Sequence, residues 1–165
     1  MKSIILAGGC FWGVEAYFNQ LKGVMDTSVG YVDGNIENPT YEQVCNGQAK
    51  HAEACKVFYD EKVITLEQIL DQFFRIINPF SINKQGHDIG RQYRSGIYLD
   101  DMADEPAVAQ FMKSYFKSDF NRVATQIKPN LDYVLAEAYH QDYLKKNPGG
   151  YCHVNLGLAT KEEVK

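Results

Sequence analysis

Apolar positions along this chain switch between the two-residue period of strands and the 3.6-residue period of helices, and the switches mark out its elements. Ser3 to Ala7 is a short apolar run closed by Gly8-Gly9, which predicts a buried strand and a turn. Val14, Tyr17, Phe18 and Leu21 then recur at helical spacing, with Gly23 where a C-cap belongs. Asp26 to Val32 is rich in strand formers, and Asp33 to Thr40, with Gly34, Asn35, Asn38 and Pro39, predicts a loop. Glu53 to Asp60 alternates as a strand.

Thr65 opens a second helix with Gln68 three residues on, a capping-box pattern. Leu66, Ile69, Leu70, Phe73, Phe74 and Ile77 form its apolar face, and Asn78-Pro79 stops it. Ser81 to Arg91, carrying Gly86 and Gly90, predicts a loop, and Tyr93 to Leu99 a strand. Asp104-Glu105-Pro106 starts a third helix with Val108, Phe111, Met112, Tyr115 and Phe116 as its stripe. Tyr133 to Ala138 predicts a last strand, then a short helix runs to Lys146, and Asn147-Pro148-Gly149-Gly150 releases the chain into a tail. This order predicts an α+β fold: a two-layer sandwich with a ferredoxin-like βαββαβ core, appended helices and a long C-terminal tail. The expectation is one domain over residues 1–165, with 147–165 loop-rich.

A formal charge of −4 with no basic run argues against nucleic acid or an anionic membrane as partner. No apolar stretch approaches the ~20 residues of a membrane span. Lys2, an apolar run and small residues before Cys10 resemble a lipoprotein signal, but Ile4 to Ala7 is far short of the ~7–15 residues such a signal needs. The expected location is the cytoplasm. Four cysteines (Cys10, Cys45, Cys55 and Cys152) form no C-x-x-C pair, so neither a disulfide framework nor a metal site is expected.

Gly8-Gly9-Cys10-Phe11-Trp12-Gly13 is the most informative stretch. A strand, a glycine turn and a helix place Cys10 at a helix N-terminus, where free N–H groups and the dipole favour a thiolate, the nucleophilic form of cysteine. Phe11 and Trp12 are expected to wall an apolar cup beside the sulfur. Glu53 shares a strand face with Cys55, Val57 and Tyr59, and burial on that face predicts a raised pKa suited to a general acid.

Gly9-Cys10-Phe11-Trp12-Gly13 resembles the signature of the A-class peptide methionine sulfoxide reductases. Gly30-Tyr31, Asn38-Pro39-Thr40-Tyr41, Val44-Cys45, His51-Ala52-Glu53 and Tyr59-Asp60 resemble further blocks of that family. So do Gly86, Asp88, Gly90, Gln92-Tyr93-Arg94-Ser95, Tyr139-His140-Gln141, Asn147-Pro148 and Gly150-Tyr151-Cys152, in family order over nearly the whole chain. Enzymes of this kind reverse methionine sulfoxide formation.

The resemblance implies that Cys10 attacks the sulfoxide sulfur of a methionine S-sulfoxide, free or in an oxidised protein, and becomes a sulfenic acid. Glu53 would protonate the oxygen, Tyr41 and Tyr93 would donate hydrogen bonds to it, and Asp88 would order the site. Phe11 and Trp12 would hold the methyl group, with His140 as supporting contact. Cys152 would resolve the sulfenic acid into a Cys10–Cys152 disulfide, reopened by thioredoxin or a small dithiol with no further cofactor. The implied role is protein repair by a monomer. The chain departs from the pattern at Asp33, where glycine is usual, at His87, a common asparagine, and at Ala49-Lys50, a usual small pair. Two rival readings are a cysteine hydrolase using His51 or His140 as base, and a redox sensor that binds a partner when Cys10 and Cys152 pair.

Overall fold

The computed structural model describes residues 1–165. Its elements are β1 (Lys2–Gly8), α1 (Phe11–Asn19), β2 (Val24–Val32), α2 (Tyr41–Asn46), β3 (Ala52–Tyr59), α3 (Leu66–Ile76), β4 (Lys84–Gln85) and β5 (Asp88–Ile89). β6 (Ser95–Leu99), α4 (Glu105–Phe116), β7 (Gln126–Pro129), β8 (Val134–Leu135) and α5 (Tyr143–Lys146) follow. Six strands form one mixed sheet in the order β7-β6-β1-β3-β2-β8, antiparallel throughout except for the β6/β7 pair.

Alternation along β1 assigns the faces. Ile4 and Leu6 join a core of 28 buried residues with Val14, Tyr17, Phe18, Ile69, Leu70 and Phe73 from α1 and α3. Ile5 and Ala7 point the other way, into a smaller cluster with Val32, Ala52, Ala54 and Tyr98, against which Tyr133 packs. Removing each large aliphatic side chain from water contributes about 1.5–3 kcal/mol, so the helical face dominates the stability of the sheet. No helix is long and apolar enough to cross a membrane.

The Thr65 capping box forms as expected: its hydroxyl accepts from Gln68 N–H at 3.1 Å while Gln68 Oε1 accepts from Thr65 N–H at 2.9 Å. Several boundaries differ from the sequence expectation. Helix α1 ends at Asn19 rather than reaching Gly23, because Leu21 leaves it to bridge Val164. Gly23 has φ +92° in the following turn, where a side chain would strike Ile64. A second capping box, Thr40 with Gln43, starts α2, which the sequence reading left unassigned. The stretch expected to be a loop over 81–91 contains the β4–β5 hairpin. Tyr93 ends a 3₁₀ turn (Arg91–Tyr93) instead of starting a strand, and the strand expected over 133–138 is only Val134–Leu135. Beyond α5, the chain returns to the body of the protein: Lys22 N–H donates to the Glu163 carbonyl, and Arg75 pairs with Glu163 at 2.8 Å.

Candidate active site

Cys10 occupies the N-cap of α1 and is only 8% exposed. Gly9 before it has φ +90°, and a Cβ there would lie 2.8 Å from both Gln85 Cβ and His153 Nε2, so glycine is required for the chain to reach the helix. The free donors of the helix start are divided between two groups. Phe11 N–H donates to Glu53 Oε1 at 3.2 Å, and Trp12 N–H serves the Cys10 sulfur.

That division corrects the thiolate expectation. Burial pushes the Cys10 thiol far above its usual range, the nearby Glu53 carboxyl adds to this, and the Trp12 N–H offsets only part; Asp88 and Cys152 also act upward. A helix terminus is worth about 0.3–1 kcal/mol to a charge, too little to outweigh removal of the sulfur from water. Cys10 therefore rests as a thiol.

Glu53 is 1% exposed on β3, and its Oε2 has no hydrogen-bond partner. Burial raises its carboxyl to about 8, with the Phe11 N–H pulling down and Asp88 pushing up. It is thus a neutral acid at neutral pH, as the strand pattern predicts. Tyr41 stands at the first position of α2 and Tyr93 at the end of its 3₁₀ turn. Burial raises both phenols, followed for Tyr41 by Cys45 and Glu53, and for Tyr93 by Glu53, Asp88 and Cys10. Both phenols therefore keep their protons and face the same acid. Asp88, on β5, accepts from Tyr151 O–H at 3.0 Å.

The aromatic side of the site is a packed group rather than two free walls. Phe11 is fully buried, its ring 5.7 Å from Tyr31 and 5.1 Å from His140. Trp12 is half-buried and stacks on Tyr143 at 3.7 Å, while its indole N–H donates to His140 Nδ1 at 3.0 Å. Burial lowers the His140 pKa, so the ring is neutral; with Nδ1 accepting, the proton is on Nε2, which has no partner. The Tyr41 ring lies 4.4 Å from His140.

Residues not identified from the sequence hold these groups. Glu137 accepts from Tyr31 O–H at 2.8 Å and from Tyr41 N–H at 2.9 Å, fixing the start of α2 against β2. Glu15, 2% exposed on α1, accepts from Asp142 N–H at 2.8 Å and Thr27 O–H at 2.9 Å, and so ties the His140–Tyr143 segment to the helix that carries Cys10. Each partner is distant in sequence, so no local motif marks these acids.

Cys152 is half-buried, and its thiol donates to the Val154 carbonyl at 3.2 Å. Its segment is pinned directly after it: His153 Nε2–H donates to the Gly8 carbonyl at 2.9 Å, and Val154 enters the core. Both Cys10 and Cys152 are free thiols. A cleft of about 370 Å³ runs beside Trp12 and Cys152, along Ala16 and Gln20 of α1 to Leu156.

His51 lies elsewhere. It is 1% exposed, 3.7 Å from Asp132, and Asp132, Arg94 and Asp33 are the charges that act on it, whereas Glu53, Asp88 and Cys152 act on Cys10. A Cys10–His51 hydrolytic pair has no geometric support. Asp33 adopts φ +62°, a conformation that favours glycine, and its carboxylate accepts from Lys128 at 2.9 Å and Tyr98 at 3.1 Å. No group of three His, Cys, Asp or Glu side chains is placed to hold a metal.

The family model described as peptide methionine sulfoxide reductase matches residues 2–165. A peptide methionine sulfoxide reductase MsrA of Clostridium perfringens is 51% identical over 156 residues, 94% of this chain and 99% of that protein. Mxr1 from Saccharomyces cerevisiae in its reduced form superposes with a TM-score of 0.86 at 39% identity, covering 93% of this chain and 91% of that one. Mxr1 in complex with Trx2 superposes with a TM-score of 0.59 at 30% identity over 86% and 84% of the two chains.

Proposed function

The chain belongs to the peptide methionine sulfoxide reductase family, and from that premise we propose how its own residues carry the reduction. The observation that carries the proposal is Glu53: a buried carboxyl, neutral up to about pH 8, facing the same space as Cys10, Tyr41 and Tyr93. A methionine S-sulfoxide enters with its methyl group against Trp12 and the aromatic group around Phe11 and His140. Glu53 gives its proton to the sulfoxide oxygen, and the Tyr41 and Tyr93 phenols donate to that oxygen as the S–O bond weakens. Protonation leaves positive charge on the substrate sulfur, which favours loss of the Cys10 proton at the moment of attack. The Cys10 sulfur bonds to the substrate sulfur as its proton passes to the Glu53 carboxylate. The hydroxyl then moves from the substrate sulfur to the Cys10 sulfur while the S–S bond breaks, so methionine leaves and Cys10 becomes a sulfenic acid. Asp88 holds the Tyr151 end of the tail over this space.

Cys152 then closes a disulfide with Cys10. A dithiol reductant of the thioredoxin type reopens it by exchange, a reading supported by the complex of the structural neighbour Mxr1 with Trx2. The electrons come from that thiol and the chain itself supplies no cofactor. The substrates are oxidised proteins, peptides and free methionine sulfoxide. We also read the chain as one domain and a cytoplasmic monomer. Its β6-β1-β3-β2 strand order, with α1 and α3 as crossovers, supports the ferredoxin-like description of the core.

Incubation with a thiol and each epimer of methionine sulfoxide tests the proposal. Methionine should form from the S epimer alone, and Cys10→Ser should give none. Cys152→Ser should release about one equivalent with a thioredoxin-type donor, yet turn over with a small dithiol. Release from both epimers, or from Cys10→Ser, would overturn it.

A further inference from the structure

We propose that Nδ1 of His153 is the base that takes the thiol proton of Cys152 as this sulfur attacks the Cys10 sulfenic acid. The inference rests on the reading of Cys152 as the resolving thiol. Its starting point is the orientation of the His153 ring. Nε2 lies 2.9 Å from the Gly8 carbonyl, and a carbonyl only accepts, so Nε2 carries a proton. Burial lowers the ring pKa, with the Gly8 carbonyl and Asp88 acting the other way, so the ring is neutral and Nδ1 has a bare lone pair. That nitrogen is buried and has no hydrogen-bond partner. A buried acceptor left without a partner is uncommon in folded proteins.

Gly13 shows what the lone pair faces. A Cβ built on Gly13 would lie 3.2 Å from Cys152 Sγ and 3.2 Å from His153 Nδ1. Thiol and base thus converge on one point above the first turn of α1, three residues from Cys10. The absence of a side chain at Gly13 leaves room at that point, which Val154 Cγ2 also borders at 3.1 Å. The other nitrogen of the same ring grips Gly8, at the end of the strand that leads into Cys10. His153 therefore spans both partners of the disulfide. In the resting protein the Cys152 thiol donates to the Val154 carbonyl, and the proposed step has it leave that carbonyl for Nδ1. The charged group that acts on the ring is Asp88; the Cys152 thiol and Val154 share its space above Gly13, and Gln85 shares the space beside Gly9.

The step balances without an outside reagent. The Cys152 S–H bond breaks and its proton passes to Nδ1. The freed electron pair forms the S–S bond to Cys10, and the Cys10 S–O bond breaks with its electrons going to oxygen. The imidazolium returns the proton to that oxygen, and water leaves. Cys10 is reduced by one level as Cys152 is oxidised by one, and His153 ends as it began.

The test is a single turnover with a peptide methionine S-sulfoxide, following methionine release and loss of free thiols in wild type, His153→Gln and His153→Ala. Glutamine can keep a donor to the Gly8 carbonyl but has no basic nitrogen. Disulfide formation, measured relative to methionine release in the same reaction, should slow about 10- to 100-fold in both variants. In wild type, disulfide formation should slow as pH falls and the ring takes up a proton, and His153→Gln should lack that limb. Added imidazole should speed His153→Ala. A wild-type disulfide rate in His153→Gln would overturn the assignment of the base alone. Absence of any Cys10–Cys152 disulfide in the wild-type protein would overturn the resolving role of Cys152, and this base with it.

Discussion

Phe11 N–H donates to Glu53 Oε1 at 3.2 Å, so the first free donor of helix α1 serves an acid 42 residues away rather than the sulfur beside it. The bond locks the carboxyl against the helix start, and it leaves Oε2 buried and unpaired. A neutral acid in that position is ready to give a proton to an incoming oxygen.

Glu53→Gln keeps an acceptor for Phe11 N–H and removes the proton. Its kcat on a peptide methionine S-sulfoxide should fall by about 10²- to 10⁴-fold with little change in KM. Steady-state kinetics decide this, and a loss under about tenfold would show that another group supplies the proton.

The raised carboxyl also sets a pH signature. Glu53 is protonated in the folded protein up to about pH 8, while an exposed glutamate loses its proton near 4.5. Between those values the native state holds more protons, so stability is fullest below the lower value and declines as pH rises through the upper one. The contribution is up to about 1.4 kcal/mol per pH unit for this one proton. The step that makes methionine should hold steady below about pH 8 and fall above it. Denaturation midpoints and single-turnover rates across pH 5–10 check both, and Glu53→Gln should flatten the stability trend.

Glu15 should matter to the fold first. It joins α1 to β2 and to the segment before α5 through Thr27 and Asp142. Glu15→Ala leaves the half-buried Asp142 N–H and Thr27 hydroxyl without this partner and should cost about 1 kcal/mol in urea unfolding. Glu15→Gln keeps an acceptor and should lose less. Equal losses would mean that the carboxylate charge, not the bonding, is what the site uses.

The helices with long apolar stripes, α3 and α4, and the strands of the central sheet were legible because each carries its own period. The motif Thr65-x-x-Gln68 recurs as Thr40-x-x-Gln43, but only Val44 of α2 is buried, so no stripe announces that helix. Strand β7 exists by pairing with β6, which no local pattern encodes, and β8 is shorter than the 133–138 run that pointed to it because only two of its residues pair with β2. At the site, Cys10 and the raised pKa of Glu53 followed from a strand-turn-helix and an alternating face. The resting thiol did not, because it depends on how deeply the sulfur is buried, beside Glu53, and that burial is made only by folding. Tyr41, Tyr93 and Asp88 carried no signal beyond the resemblance to a known family, since burial and shared surroundings distinguish them from other tyrosines and acids only in three dimensions.

The pinned segment around Cys152 has a consequence for survival under oxidative stress. A sulfenic acid left in place can be carried by peroxide to the sulfinic state, which ordinary thiols do not reverse. Val154 in the core and the Leu21–Val164 bridge anchor the chain beyond Cys152, so with Cys152 as the resolving thiol proposed above the second sulfur comes from the same molecule. Capture is then first-order and indifferent to dilution, whereas over-oxidation depends on how much peroxide is present. A repair enzyme that works where peroxide is abundant is thereby shielded from its own intermediate.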